Sequence, residues 1–254
     1  MPFSDYRKAL VTGASAGIGA AVVERLCLEG LEVHALARSA KALEDLAQRT
    51  GCTPHVLDVT DLAGVTRLTR ETEFDILVNN AGVDRPKPFL TADAEDVDLI
   101  LDVNLRAALH LCRLIVPGMV ARDRGHVVNI SSIAGAYNFG GNSSYHAAKA
   151  GISMLSRQLR IDAFGRRVRV TEICPGRVAT DIFANVHGDS RETYERFLEG
   201  YELPVAKDIA DAIAFAISAP TAVNIGHMEI TPTLQVPGGL SIAKGAAPIT
   251  DIIR

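Results

Sequence analysis

Short apolar runs and longer amphipathic segments alternate along the chain from its beginning. The runs Ala9–Thr12, Glu32–Ala37, Pro54–Asp58, Ile76–Asn79, His126–Ile130, Val168–Ile173 and Met228–Ile230 read as strands. Ile18–Glu29, Lys41–Gln48, Asp96–Val120, Tyr145–Phe164 and Asp208–Ser218 read as helices. Such alternation implies βαβ units and a mostly parallel sheet. Consecutive apolar residues such as Ile76-Leu77-Val78 suit strands buried on both faces. Right-handed crossovers then predict an α/β fold, a doubly wound parallel sheet of about seven strands with helices on both faces. No repeat or linker divides the 254 residues, so one domain is expected over 1–254.

Composition narrows the function classes. Hydrophobic residues at 48% and charged residues at 22% are those of an ordinary soluble globular protein. A net charge of −4 provides no electrostatic footprint for nucleic acid. The one basic cluster, Arg166, Arg167 and Arg169, reads as a solvated surface. No stretch is long and apolar enough to span a membrane, and the run after Arg7 and Lys8 is too short for a signal peptide. Cys27, Cys52, Cys112 and Cys174 sit in apolar stretches without CxxC or zinc spacing, so they read as core thiols in a reducing compartment. The histidines form no HExxH pair, and no metal is implied. A cytoplasmic protein is expected.

Candidate chemistry lies at the carboxyl ends of the strands, where doubly wound sheets bind ligands. Thr12-Gly13-Ala14-Ser15-Ala16-Gly17-Ile18-Gly19 joins the first strand to a helix. Glycines there permit a tight turn and let backbone N–H groups approach a pyrophosphate, as in a Rossmann fold. The spacing is GxxxGxG rather than GxGxxG. The second strand ends not in the acid that would grip the ribose 2′-OH of NAD, but in Ala37 followed by Arg38. A permanent, bidentate cation there suits a 2′-phosphate, so Arg38 favours NADP, with NAD as the weaker alternative. Asp58 either accepts from the adenine amino group or stops the third strand. Asn79-Asn80-Ala81-Gly82 suits a turn lying against a cofactor. Ser132 follows the fifth strand, and Tyr145 and Lys149 lie one turn apart on a helix face. This trio is what carbonyl reduction needs. A phenol protonates the alkoxide left by hydride, a neighbouring ammonium is expected to lower the phenol's pKa, and a serine orients the carbonyl oxygen. His146 reads as a helix-surface neighbour without a role. Arg85 and Arg177 fall in segments expected to border the substrate, where either is a candidate clamp for an anionic group.

Taken together, TGASAGIG at 12–19, LDV at 57–59, NNAG at 79–82, Asn104, Ser132, YHAAK at 145–149 and PG at 175–176 resemble a short-chain dehydrogenase/reductase of the classical type. The resemblance runs from Ala9 to about Pro232. It implies a single dinucleotide-binding catalytic domain, with a substrate loop and helix at about 176–202 and a C-terminal tail at about 232–254. It implies Asn104, Ser132, Tyr145 and Lys149 as the catalytic set, with Asn104 anchoring a water in the proton relay. Cofactor contacts are implied for Gly13, Ser15, Gly17, Ile18, Gly19, Arg38, Asp58, Val59, Asn80, Ala81, Gly82, Tyr145, Lys149, Pro175, Gly176, Val178 and Thr180. Many NADP-preferring members carry a basic residue where this chain has Ala16, which leaves the 2′-phosphate to Arg38, helped by Ser15 and Ser39. The segment from Asp208 to Gly239, with VNIGHMEITPT at 223–233, resembles the subgroup acting on small 3-hydroxy acids such as serine, which includes reductases of sulfonated short aldehydes. Arg177 replaces an apolar residue common there. Broader carbonyl or 3-oxoacyl reduction, or a cofactor-sensing binding protein, are the alternatives. The resemblance also implies a homotetramer, paired through the helices at Asp96–Val120 and Tyr145–Phe164, and Ile152, Leu155 and Leu159 continue an apolar face that suits it.

Overall fold

A computed structural model describes residues 3, 5–180, 191, 195 and 198–245. Much of the predicted substrate loop and helix, and the end of the predicted tail from 246 on, lie outside the described residues.

The chain runs β1 (Lys8–Thr12), α1 (Gly17–Leu28), β2 (Glu32–Ala37), α2 (Ala40–Thr50), β3 (Thr53–Val56), α3 (Leu62–Glu71) and β4 (Ile76–Asn79). It continues through α4 (Ala94–Leu101), a π turn (Asp102–Arg106), α5 (Ala107–Ala121), β5 (Gly125–Ile130), α6 (Ser143–Asp162), β6 (Val168–Pro175), α7 (Ala206–Ser218) and β7 (His227–Ile230). The seven strands form one sheet in the order β3-β2-β1-β4-β5-β6-β7, every pair parallel. The expected Rossmann topology is present. The order reverses at β1, between β2 and β4, so a crevice opens at the carboxyl ends of β1 and β4.

Alternate residues of each strand feed two cores. Ala9, Val11, Val33, Ala35 and Val78 pack with Val22, Val23 and Leu26 of α1, Leu43 and Leu46 of α2, and Ile209, Ile213 and Ile217 of α7. Leu10, Leu36, Leu77, Val127 and Val170 face the other way, onto Leu68 of α3, Leu111, Ile115 and Met119 of α5, and Leu159 of α6. Caps set the helix ends. Ser39 accepts from the Ala42 N–H at the start of α2, and Asp61 from the Gly64 N–H at the start of α3.

The structure corrects several expectations. β3 ends at Val56, so Asp58 lies in the following turn, where its Oδ1 accepts from both the N–H and the hydroxyl of Thr60. The sequence reading passed over α3, although Asp61 caps it and Val65 and Leu68 give it helical spacing. The helix expected over Asp96–Val120 is broken by the π turn. Arg169 is not on the surface. It is buried, and its guanidinium bonds the Tyr6 hydroxyl at 2.9 Å and the Ile217 and Ala219 carbonyls at 2.7 and 2.8 Å, tying β6 to the end of α7. Ile152, Leu155 and Leu159 turn inward, and the exposed large apolar residues of α5 and α6 are Leu109, Met154 and Ile161. Cys27 is only half-buried, whereas the other three cysteines are buried.

Candidate active site

The carboxyl ends of β1, β2 and β4 enclose a groove of about 510 Å³, the scale of a ligand site. Gly13, Ser15, Gly17, Ile18, Arg38, Asp58, Val59, Asn80, Ala81, Gly82 and Thr180 line it, together with Ala16, Ser39, Val83, Asp84 and Arg85. At its floor α1 begins without a side-chain cap and without an acid in its first turn. Its leading N–H groups and the positive end of its dipole are therefore available to an anion. The glycines make this approach possible. Gly13 has φ +65°, and a Cβ there would stand 2.8 Å from the Ala81 Cα. A Cβ on Gly19 would stand 2.2 Å from the Gly13 carbonyl oxygen, so α1 lies directly on the turn and Gly19 is not itself a wall. Asn80 braces the same turn, its amide donating to the Thr12 carbonyl at 2.9 Å and the Gly13 carbonyl at 3.2 Å.

Arg38 is 70% exposed at the groove's end, 3.9 Å from an Asp58 oxygen. Asp58 thus closes a turn with one oxygen while facing the arginine with the other. Ser39 accepts from the Ala42 N–H as the α2 cap, which leaves its own O–H able to donate into the groove. Pro175, Gly176 and Val178 do not line the groove, and the Val178 side chain is buried in the α1/α7 core. A dinucleotide fits this donor set: bare helix N–H groups and glycine backbone for a pyrophosphate, and Arg38 at the outer end.

The catalytic candidates meet beside the groove. Asn142, left-handed at φ 58°, caps α6, accepting from the Tyr145 N–H at 3.3 Å. Its amide donates to the Asp84 carboxylate. Tyr145 therefore sits in the first turn of α6, with Ser132 close enough to its phenol to oppose a rise in its pKa. Lys149 is 5% exposed, with Nζ 5.5 Å from the Tyr145 ring centroid and donating to the Ile130 carbonyl at 2.9 Å. Asn104 occupies the π turn, donating to the Val83 and Ile100 carbonyls at 2.8 and 2.9 Å and accepting from the Val83 N–H at 3.2 Å. Gly82 is shared ground: a Cβ there would stand 2.8 Å from the Asn104 Oδ1 and 3.8 Å from the Lys149 Nζ. The structure brings all four together.

The expected downward shift of the phenol's pKa is overturned. Burial pushes the Tyr145 pKa well above its ordinary value, the Asp84 charge adds to the rise, and the Ser132 hydrogen bond only partly opposes it. Burial also brings Lys149 down to about 8. The ammonium that was to stabilise a phenolate is itself poorly solvated. The free protein thus holds Tyr145 as a phenol, the proton-donating form. Asp84 and Asn142 were missed by sequence reasoning, although Asp84 follows the NNAG motif by two residues. His146 is half-buried rather than a surface neighbour, its Nδ1 3.0 Å from the Asn142 carbonyl and its ring against Phe139. Arg85 lines the groove 3.9 Å from Asp96. Arg177 is half-buried above the Tyr201 ring, 5.4 Å from its centroid, and Lys244 approaches that ring at 4.7 Å.

Fold and site together define a dinucleotide-binding α/β oxidoreductase. A profile of the short chain dehydrogenase family matches residues 7–191. An uncharacterized short-chain type dehydrogenase/reductase of Sinorhizobium fredii is 35% identical over 250 residues, covering 96% of this chain and 98% of that one. The NADP-dependent 3-hydroxy acid dehydrogenase of Shigella flexneri is 34% identical over 245 residues, covering 92% and 98%. Among solved structures, the closed form of a serine dehydrogenase complexed with NADP+ superposes with a TM-score of 0.87 at 32% identity, over 93% of this chain and 99% of that one. The chain belongs to the short-chain dehydrogenase family.

Proposed function

We propose that this protein is an NADP-dependent oxidoreductase interconverting a small 3-hydroxy acid, such as serine, with its carbonyl form. The observation that carries the reading is the half-buried phenol of Tyr145, set beside Ser132 and above the buried Lys149, next to a groove that fits a dinucleotide. NADP supplies the hydride acceptor or donor when bound, held by the α1 N-terminus and Arg38. Ser132 orients the substrate oxygen and stabilises charge developing on it. Tyr145 delivers its proton to that oxygen in reduction and removes it in oxidation. Lys149 would hold the nicotinamide ribose, and Asn104, which fixes the π turn against Val83, would anchor a water of the relay. The NADP-linked relatives support the cofactor, and Arg38 in place of an acid supports it independently.

Arg85, which lines the groove, and Arg177, above the Tyr201 ring, are the candidate clamps for an anionic substrate. Arg177 is half-buried, burial lowers its pKa, and a guanidinium matches a carboxylate or sulfonate geometrically. The reading carries with it one catalytic domain over 1–254, cytoplasmic location and a homotetramer built on α4, α5 and α6. No described helix is long and apolar enough to cross a membrane. The deciding experiment assays short hydroxy acids, their methyl esters, sulfonated aldehydes and neutral ketones with NADP(H) and NAD(H). The acid should exceed its ester in kcat/KM with NADP(H). An ester as good as the acid would remove the anionic substrate, and equal use of NAD(H) would remove the role of Arg38.

A further inference from the structure

Behind the catalytic serine lies a group of ionisable residues for which the proposed chemistry has no use. Glu172 and Cys174 are alternate residues of β6 and share its α6 face. His227 of β7 is paired in register with Glu172. Glu172 is 2% exposed, and a buried carboxylate in a central strand needs compensation. Its Oε1 accepts from the Ser153 hydroxyl, its Oε2 lies 3.2 Å from the His227 Nδ1, and the Cys174 Sγ is 3.7 Å from Oε1. The ligand atoms of the three residues all lie within 4.8 Å of one another. His227, 46% exposed at its side chain, opens the cluster to solvent. Glu229, paired with Cys174 in register, adds negative charge beside the thiol.

We infer that Glu172, Cys174 and His227 form a binding site for a borderline-soft divalent cation of the zinc type, and that filling it inhibits the enzyme. One carboxylate, one imidazole and one thiolate, with water in the fourth position, make a tetrahedral donor set. Metal–ligand bonds of 2.0–2.3 Å require ligand–ligand edges of about 3.3–3.6 Å, close to the two contacts already present. The Cys174 thiol gives up its proton on binding, while His227 binds through a lone pair of the neutral imidazole. The inhibition follows from what those groups now hold. The thiol donates to the Ser132 carbonyl at 3.0 Å, and the Ser153 hydroxyl that meets Glu172 also reaches the Lys149 carbonyl at 3.2 Å. A cation drawing Cys174 and Glu172 together releases the backbone of both catalytic segments. Sequence spacing conceals the site, because its ligands come from two strands joined only by sheet register.

Cobalt(II) and zinc(II) test this on the intact protein. Cobalt(II) should bind with a stoichiometry of one and produce a thiolate-to-metal charge-transfer band, which Cys174→Ser abolishes. Zinc(II) should lower kcat, and His227→Ala should raise the half-inhibiting concentration more than about tenfold while leaving metal-free turnover within about twofold. Absence of the charge-transfer band, or zinc inhibition equal in the parent and His227→Ala proteins, overturns the inference. The cobalt spectrum requires no substrate, so it reads the metal site even if the proposed substrate is wrong.

Discussion

Lys149 is buried beside the half-buried Tyr145, and loss of solvent holds each away from its ordinary titration. Tyr145→Phe removes the proton donor without removing a groove wall, so turnover should fall about 10²–10⁴-fold with NADPH affinity within about threefold. Single-turnover rates and NADPH fluorescence titration check this, and near-parental kcat would sink the role. Lys149 has a consequence for stability. An unfolded lysine titrates near 10.5, whereas this one titrates at about 8 in the folded protein because it is desolvated. Below pH 8 the folded state therefore carries a buried ammonium, at a cost of about 3 kcal/mol on the scale of 1.4 kcal/mol per pH unit. That cost fades as pH rises from 8 to 10.5, where the unfolded chain binds the extra proton. The cofactor-free protein should gain stability from this residue across that window. Lys149→Met should lack the gain, read as urea midpoints at about pH 7.5 and pH 10. Equal midpoint changes in the two proteins would contradict it.

Elements were legible in the sequence where local pattern and tertiary demand agree. TGASAGIG announced β1, its turn and α1, because a left-handed turn and a close helix approach both need glycine. YHAAK announced the Tyr145–Lys149 face because both residues share one helix. Less was legible where a partner is remote in sequence. Arg169 reads as one of three neighbouring arginines, yet its acceptors lie on Ile217 and Ala219. The π turn around Asn104 carries no local breaker, since Val83 and Ile100 together stabilise it. The direction of the Tyr145 shift was misread because the charge of Lys149 was considered without its burial. Gly19 puts local and tertiary effects in direct opposition. Helix propensity favours Gly19→Ala by about 1 kcal/mol, but the new methyl would overlap the Gly13 carbonyl oxygen. The overlap should win. The variant should melt below the parent and bind NADPH more than about tenfold more weakly, and a raised melting temperature with intact binding would refute the packing argument.

At the scale of the molecule, the outer faces of α5 and α6 leave Leu109, Met154 and Ile161 exposed, the last two at 59% and 66%. Exposed apolar residues on neighbouring helices suit burial between copies of the chain. Light scattering at micromolar concentration should report a tetramer, and a double Met154→Glu, Ile161→Glu variant should report a smaller species. A monomeric parent protein would end the proposal.

The packing of α1 against α7 also governs how the chain is made. Val22, Val23 and Leu26 share a core with Ile209, Ile213 and Ile217, and the Arg25 Nε meets the Asp211 Oδ1 at 2.9 Å across 186 residues. Translation at about 5–20 residues per second separates the two helices by roughly 10–40 s. Through that interval α1 displays an apolar stripe whose cover from α7 has not been synthesised. A nascent chain halted before Ala206 should therefore aggregate or stay bound to a chaperone, while the finished chain is released. Ribosome-stalled lengths ending on either side of α7, compared by sedimentation, would reveal the step; soluble, chaperone-free chains at the shorter length would show that β1–β6 bury α1 well enough without it.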